Sequence, residues 1–267
     1  MLTPQQLLSE CVRMAKIAGK IQIGYFRSSH LKVDTKYNDS DVVTEADKRS
    51  EAAIIAEIRR LFPTHSVLSE ESGEDAFVGE YRWVIDPLDG TASFSSGLPG
   101  FCVSIGVEHK GQTVAGVVYA PYLGELFTAT KGGGAYLNGE LISPRREDHL
   151  SRAMLATGFP VDRNTNNDCN VDNFLRLLPQ VRDIRRMGSA ALDICYVAAG
   201  LLDGYWEMNL HDWDVSAALL IAQESGAEID RFRHDRNVSV IVASSSIMPK
   251  ISPMISRVPY NGTLQLK

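Results

Sequence analysis

Trp83-Val84-Ile85-Asp86-Pro87-Leu88-Asp89-Gly90-Thr91 carries the densest chemistry in the 267-residue sequence. An apolar stretch delivers Asp86 to what reads as a strand end, Pro87 removes the next amide donor, and Gly90 permits a tight reversal after Asp89. Two carboxylates, a hydroxyl and the carbonyls of the turn thereby converge. Such a set is all oxygen and hard, suited to Mg2+ or Mn2+ rather than to zinc or copper. Without a cation, carboxylates this close repel and one keeps its proton. Asp-x-x-Asp alone also describes an ordinary surface turn, so the reading depends on what else can reach it.

Further acids fall where they could join. Ser69-Glu70-Glu71-Ser72 follows a short apolar strand, His211-Asp212-Trp213-Asp214 precedes a helix, and Asp41-Val42-Val43-Thr44-Glu45-Ala46-Asp47 opens another. Each has a plainer reading. Thr44-x-x-Asp47 also fits a helix capping box, and Asp47 can cap and face a site at once. Glu71 can be a solvated acid beside Glu70, and Asp212 is open between the two readings. Lys36 reads as a solvated loop lysine, with a gating or third-metal role as the alternative. Gly132-Gly133-Gly134 lacks the Lys-Ser/Thr of a phosphate loop and sits between strand-like segments, so it reads as a β-turn.

The elements that must position these groups follow from periodicity. Thr3-Pro4 reads as an N-cap with proline in the first turn, and Leu7, Leu8, Cys11, Ala15, Ala18 and Ile21 recur at helical spacing toward Phe26. After a polar turn over 36–41, a second helix opens at Thr44 and ends at Phe62-Pro63. Strands are expected over 66–69, 81–86, 101–109 and 113–120, the last two joined through Lys110-Gly111-Gln112. A strand over 125–130 and a pair around the Asn138-Gly139 turn continue the meander.

Beyond about residue 143 the pattern alternates. Helices are expected over 173–178, 189–199 (closed by Gly200) and 215–225 (closed by Gly226). Extended segments are expected over 182–187, 205–208, 227–229 and 238–243, with 231–238 a brief connection and 247–255 an irregular last helix. Helices, then a meander, then alternation argue for an α/β (α+β) fold of layers with mixed sheets. The chain reads as one compact unit with an N-terminal half, 1–145, and a C-terminal half, 146–267.

With 44% hydrophobic and 22% charged residues, the composition is that of a globular protein and not of a disordered one. No run of about eighteen apolar residues is present, so no membrane span is expected. Twenty-seven basic against 33 acidic residues leave a net charge of −6. The doublets Arg59-Arg60, Arg145-Arg146 and Arg185-Arg186 read as isolated surface pairs, so direct nucleic-acid binding is not expected. Cys11, Cys102, Cys169 and Cys195 match neither a disulfide nor a zinc spacing, and the N-terminus opens no signal peptide. Buried free thiols and a cytoplasmic location are the expectation.

The Trp-x-Ile-Asp-Pro-Leu-Asp-Gly-Thr turn at 83–91 and Trp213-Asp214 at a helix start resemble the inositol monophosphatase family of lithium-sensitive, Mg2+-dependent sugar phosphatases. The resemblance also takes in 41–47, Glu70-Glu71-Ser72, Gly188-Ser189-Ala190 and 203–207, in order, over nearly the whole chain. It implies an α-β-α-β-α sandwich with mixed, largely antiparallel sheets, a homodimer, and two or three Mg2+ per site with Mn2+ as a substitute. By the same resemblance Glu70, Asp86 and the Leu88 carbonyl hold one ion, and Asp86, Asp89 and Asp214 a second. Glu70 would also hold a weaker third. Thr91 and Asp47 would orient or deprotonate the attacking water, and the Gly90 and Thr91 amides would meet phosphate oxygens at a helix N-terminus. Asp89, Gly188, Ser189, Ala190 and Glu207 would line the alcohol pocket, Glu207 accepting hydrogen bonds from hydroxyls.

The implied reaction is hydrolysis of inositol-1-phosphate or a similar small polyol phosphate by direct attack of metal-activated water. No Cys or His stands in a phosphatase nucleophile motif, so no phosphoenzyme is expected. Histidinol phosphate, 3′-phosphoadenosine-phosphate and fructose-1,6-bisphosphate are alternative substrates, although the Gly-Leu-Pro-Gly-Phe run at 97–101 looks more like the inositol type than the nucleotide type. Ala92-Ser93-Phe94 departs from the family's frequent Thr-Asn-Phe and leaves the ligands intact. Two readings belong to other classes: a regulatory binding protein, as some bacterial relatives act on the transcription machinery, and a purely structural metal protein.

Overall fold

The computed structural model describes residues 2–36, 42–75 and 79–262. Thr3 opens helix α1 (Pro4–Tyr25) through a capping box with Gln6, as the Thr-Pro start requires. A short hairpin, β1 (Val33–Thr35) and β2 (Val42–Thr44), leads into α2 (Glu45–Leu61). Most of the polar turn expected over 36–41, Asp41 included, lies outside the described residues. There follow β3 (Ser66–Ser69), β4 (Gly73–Glu74), β5 (Tyr81–Asp89), α3 (Thr91–Ser95), β6 (Cys102–His109), β7 (Gln112–Ala120), β8 (Glu125–Thr130), β9 (Ala135–Leu137) and β10 (Glu140–Leu141). The later part contains β11 (Met154–Thr157), α4 (Val171–Leu177), β12 (Asp183–Arg185), α5 (Ala190–Ala198), β13 (Gly204–Leu210), α6 (Asp212–Ser225), β14 (Glu228–Arg233), β15 (Val238–Ala243) and α7 (Met248–Ile251).

Eight strands form one sheet in the order β10-β9-β8-β7-β6-β5-β3-β4, antiparallel except where β3 runs parallel to β5. Five form another, β12-β11-β13-β15-β14, in which β11 is parallel to both neighbours. On one face of the large sheet, Leu7, Cys11, Met14 and Ala18 of α1 and Ile54 and Ile58 of α2 bury Trp83, Ile85, Val103, Ile105 and Val117. Its other face meets α5 and α6, whose opposite sides cover Tyr205, Val240 and Val242 of the small sheet. The far face of that sheet packs Leu155, Trp206 and Ile241 against Leu177, Ile247 and Ile251 beside α4 and α7. The layers therefore run α-β-α-β-α with mixed, largely antiparallel sheets, as expected. Each fully buried Leu, Ile or Val in these interfaces contributes about 1.5–3 kcal/mol.

The hairpin strands β1 and β2, the short β4 and the one-turn α3 add to the elements expected from the sequence, and three further differences have a clear physical reason. Met154-Leu155-Ala156-Thr157 is a strand that no alternation marks, because it is flanked by parallel neighbours and covered on both faces. β14 runs on to Arg233 where a connection is expected. It is an edge strand whose charged residues and bulge after Arg231 are the devices that keep edges from pairing with other chains. α6 begins at Asp212, three residues early, with His211 as N-cap.

The Lys110-Gly111 and Asn138-Gly139 turns each have both residues at positive φ, as tight hairpins demand. The Gly132 and Gly134 amides do bind an anion, but it is the chain's own Glu224, at 2.8 and 3.0 Å. All four cysteines are buried and free. Among the described residues no helix is long and apolar enough to cross a membrane.

Candidate active site

β5 does not end at Asp86. Asp86 pairs with Ser104 and Asp89 with Cys102, so three steps on β5 match two on β6, and this bulge accommodates Pro87. Gln22 Nε2 of α1 donates to the Pro87 carbonyl (2.7 Å). The buried face of α1 thus ends at Gln22 and not at Ile21. Gly90 has φ +94°, and a Cβ there would lie 2.5 Å from the Gly100 carbonyl oxygen, so only glycine turns the chain at this point. The Thr91 hydroxyl, at the start of α3, lies 2.9 Å from Asp47 Oδ1 and 3.0 Å from the Leu88 carbonyl. Asp47 Oδ2 accepts from the Thr44 amide (2.9 Å), closing the capping box of α2. One carboxylate therefore caps a helix with one oxygen and faces Thr91 with the other.

Asp89 is held from the other end of the sequence. Asp89 Oδ2 accepts from the Ser189 hydroxyl and the Ala191 amide, both at 2.7 Å, at the positive end of α5. Ser189 is the N-cap of that helix, Ala190 its first residue, and Gly188 turns into it with φ +92°. Asp214, in the first turn of α6, accepts from the His211 amide (2.6 Å).

Beyond β3, Glu70 and Glu71 share Lys36, whose Nζ lies 2.7 and 2.6 Å from their Oε1 atoms. Lys36 is therefore part of the acidic cluster and not a solvated loop lysine. Glu51 of α2 fixes the same segment by accepting from the Ser69 and Ser72 hydroxyls and the Glu71 amide. Asp212, by contrast, points outward, with its side chain 53% exposed.

The electrostatics follow from burial without neutralisation. Burial raises Asp86 and Asp214 well above the usual carboxyl range, and the charges of Glu70 and Asp89 add to both shifts. Burial lifts Asp89 to about 6 against the bonds from Ser189 and Ala191. Asp47 is likewise pushed up to about 6 by burial, held back by Thr44 and Thr91. Glu71 reaches about 7, burial outweighing Lys36.

Among the described residues no three His, Cys, Asp or Glu side chains are converged to hold an ion in their present rotamers. Glu70 is turned to Lys36, Asp89 to α5 and Asp214 to His211. The donor set nevertheless fits a hard divalent cation: oxygens alone, on carboxylates that raise one another's pKa, with the Lys36 ammonium bonded to Glu70 and Glu71 at the edge of the set.

A second cluster adjoins Asp89. Glu207 of β13 accepts from the Tyr205 hydroxyl, and burial takes its carboxyl to about 7, against Tyr205 and Arg186. A Cβ on Gly158 would fall 2.0 Å from Glu207 Oε1. Asp193 of α5 is buried within range of the Glu207 and Asp89 charges. The structure thus brings Asp47, Glu70, Asp86, Leu88, Asp89, Gly90, Thr91, Gly188, Ser189, Ala190, Glu207 and Asp214 to one region.

Sequence reasoning missed Gln22, Glu51, Gly158, Asp193 and Tyr205. Only the helical spacing of Gln22, which extends the apolar stripe of α1 with a polar residue, could have flagged one of them. Nor are two of the arginine doublets merely solvated pairs. Arg145 is bidentate on the fully buried Asp203, and the Arg186 charge reaches Glu207 and Asp193.

Comparison with known proteins agrees with this geometry. The model of the inositol monophosphatase family matches residues 3–257. The sequence is 40% identical over 260 residues to Nus factor SuhB of Pasteurella multocida, covering 94% of this chain and 97% of that one. Among solved structures, inositol monophosphatase from Anabaena is similar with a TM-score of 0.82 and 36% identity, covering 96% of this chain and 97% of that chain. Extragenic suppressor protein suhB from Bartonella henselae is similar with a TM-score of 0.84 and 34% identity, covering 93% and 97%.

Proposed function

The chain belongs to the inositol monophosphatase family, and on that premise we propose that it is a Mg2+-dependent phosphomonoesterase acting on inositol-1-phosphate or a similar small polyol phosphate. The observation that carries this is that a strand bulge and a helix start bury Asp86, Asp89 and Asp214 near enough for the charge of Asp89 to raise the other two carboxyls. We assign Glu70, Asp86, Asp89, Asp214 and the Leu88 carbonyl to two or three Mg2+ ions, which Mn2+ can replace. When bound, the metal supplies positive charge to the phosphoryl oxygens and acidifies water.

The remaining work falls to the chain's own groups. The Gly90 and Thr91 amides bind phosphate oxygens. The Thr91 hydroxyl orients the attacking water, and its proton passes toward Asp47, whose carboxyl at about 6 is matched to acceptance near neutral pH. Ser189 and Ala191 hold Asp89 in place, while Glu207, fixed by Tyr205, accepts hydrogen bonds from the alcohol. In this scheme residues 1–145 supply most of the metal ligands, and 146–267 supply the alcohol pocket and Asp214. Hydrolysis is direct, in a cytoplasmic homodimer that does not itself bind nucleic acid.

The panel that tests this is inositol-1-phosphate, histidinol phosphate, 3′-phosphoadenosine-phosphate and fructose-1,6-bisphosphate, compared by kcat/KM. Preference for the inositol ester is expected, and preference for another would reassign the substrate. Millimolar Li+ should inhibit, measured as phosphate release at fixed Mg2+, and indifference to Li+ would remove that part of the proposal. Gly158→Ala should push the Glu207 carboxylate aside and raise KM for inositol-1-phosphate by on the order of tenfold. An unchanged KM in a folded variant would separate Glu207 from the alcohol.

The name Nus factor, carried by relatives at 40% identity, supports a second, regulatory role for the same fold. An Asp89→Asn protein that lacks turnover but complements a regulatory phenotype would establish it.

A further inference from the structure

Glu51 is a buried carboxylate devoted to one turn of the chain. It lies on α2 and is 4% exposed. Its Oε2 accepts from the Ser69 hydroxyl and from the Glu71 amide, the latter at 3.0 Å, and its Oε1 accepts from the Ser72 hydroxyl. All three donors are neutral, and among the described residues no lysine or arginine pairs with it. Taking a carboxylate out of water is costly, so three bonds to a single turn call for a reason.

That turn carries Glu70. β3 runs parallel to β5 with Ser69 opposite Ile85, and the Glu70 amide donates to the Ile85 carbonyl at 3.2 Å. Glu70 and Asp86 therefore sit side by side on neighbouring parallel segments. Through Ser69 before it and Glu71 and Ser72 after it, Glu51 holds Glu70 from both sides. Four residues earlier, on the same face of α2, Asp47 lies 2.9 Å from the Thr91 hydroxyl, which lies 3.0 Å from the Leu88 carbonyl. One helix thus grips both turns that carry the ligands assigned to the first ion, with a single helical turn between its two grips.

We propose that Glu51 is a positioning residue for that ion: it fixes Glu70 against Asp86 and so sets the affinity for the Mg2+ they share. This rests on the phosphomonoesterase reading above. Hydrogen bonds that orient metal ligands change metal affinity by about tenfold to a hundredfold. The role is one of position and not of charge, because each contact needs only a hydrogen-bonding partner. Glu51→Gln can keep all three. Its amide oxygen takes the place of Oε2, and its amide nitrogen donates to the Ser72 hydroxyl, which accepts as well as donates.

The test measures Mg2+ binding by calorimetry on the full chain without substrate, beside phosphate release from inositol-1-phosphate across a Mg2+ titration. Wild type, Glu51→Ala, Glu51→Gln and Ser72→Ala are compared. Glu51→Ala should weaken Mg2+ binding and raise the half-saturating Mg2+ by about tenfold or more, with kcat at saturating Mg2+ within about twofold of the wild type. Glu51→Gln should restore the wild-type affinity. Ser72 is exposed, so Ser72→Ala leaves the fold intact; it should give a smaller shift of the same sign and carries the test if Glu51→Ala does not fold. A lower kcat or melting temperature at unchanged Mg2+ affinity would overturn the proposal, since Glu51 would then serve only the fold. Equal loss of affinity in Glu51→Ala and Glu51→Gln would overturn it as well, charge and not position being the cause. A wild type that binds Mg2+ but releases phosphate from no ester would overturn the phosphatase reading, while the binding measurements still decide the role of Glu51. A wild type that binds no Mg2+ would overturn both.

Discussion

Asp89→Asn is expected to lower phosphate release by on the order of a thousandfold and, in Mg2+-free solution at neutral pH, to raise the melting temperature by several degrees. The two effects share one cause. Asp89 is ionised against burial and against the charge of Glu70, which is why its carboxyl is lifted to about 6. Asparagine keeps the oxygen that accepts from Ser189 and Ala191 and removes the charge. Relief of a carboxyl displaced from 3.8 to about 6 corresponds to roughly 3 kcal/mol at 1.36 kcal/mol per pH unit. In a protein of this size that moves the melting temperature by several degrees. A variant that loses activity and also melts lower would mean that Asp89 serves the fold.

The metal-free protein should also lose stability as the pH rises from about 4 to about 7. Asp47 and Asp89 have folded-state values of about 6 against an ordinary 3.8, and Asp86 and Asp214 are raised further. The native state then binds more protons than the unfolded chain across this window, so the stability these groups confer is complete below about pH 4 and disappears as pH climbs through the folded values. Asp162, Asp168 and Asp230 are lowered by arginine partners; their contribution is lost only as the pH falls below the ordinary range. Calorimetry in EDTA and in excess Mg2+ separates the two sets. The Mg2+-induced rise in melting temperature should grow with pH, since the cation binds the ionised carboxylates. A rise that is flat across pH 5 to 8 would contradict the assigned ligand set.

Much of this site could be read from residue order alone. Asp86, Asp89 and Thr91 lie on one turn, and the acids at Glu70 and Asp214 and the family resemblance separate that turn from an ordinary surface one. The far contacts are different. Nothing in the spacing says that Ser189, a hundred positions on, donates to Asp89, because that contact is made by packing α5 between two sheets. Gln22 stayed hidden because a polar residue at the end of an apolar stripe looks like its boundary, whereas here it reaches the Pro87 carbonyl. Lys36 looked solvated because a short hairpin, and not local sequence, turns it onto Glu70 and Glu71. The layered architecture was legible in the order of helices, meander and alternation. The strand at Met154–Thr157 was not, since its neighbours cover it on both faces and leave no period to detect.

The central claim is that this carboxylate cluster hydrolyses a phosphomonoester with Mg2+. Its most direct test is phosphate release from inositol-1-phosphate by the purified wild-type protein, titrated from EDTA into millimolar Mg2+, with Asp89→Asn beside it. Turnover that rises from none in EDTA to saturation with Mg2+ in the wild type, and stays at background in the variant, is the predicted result. Turnover that persists in EDTA, or an equal rate in the variant, would contradict the account.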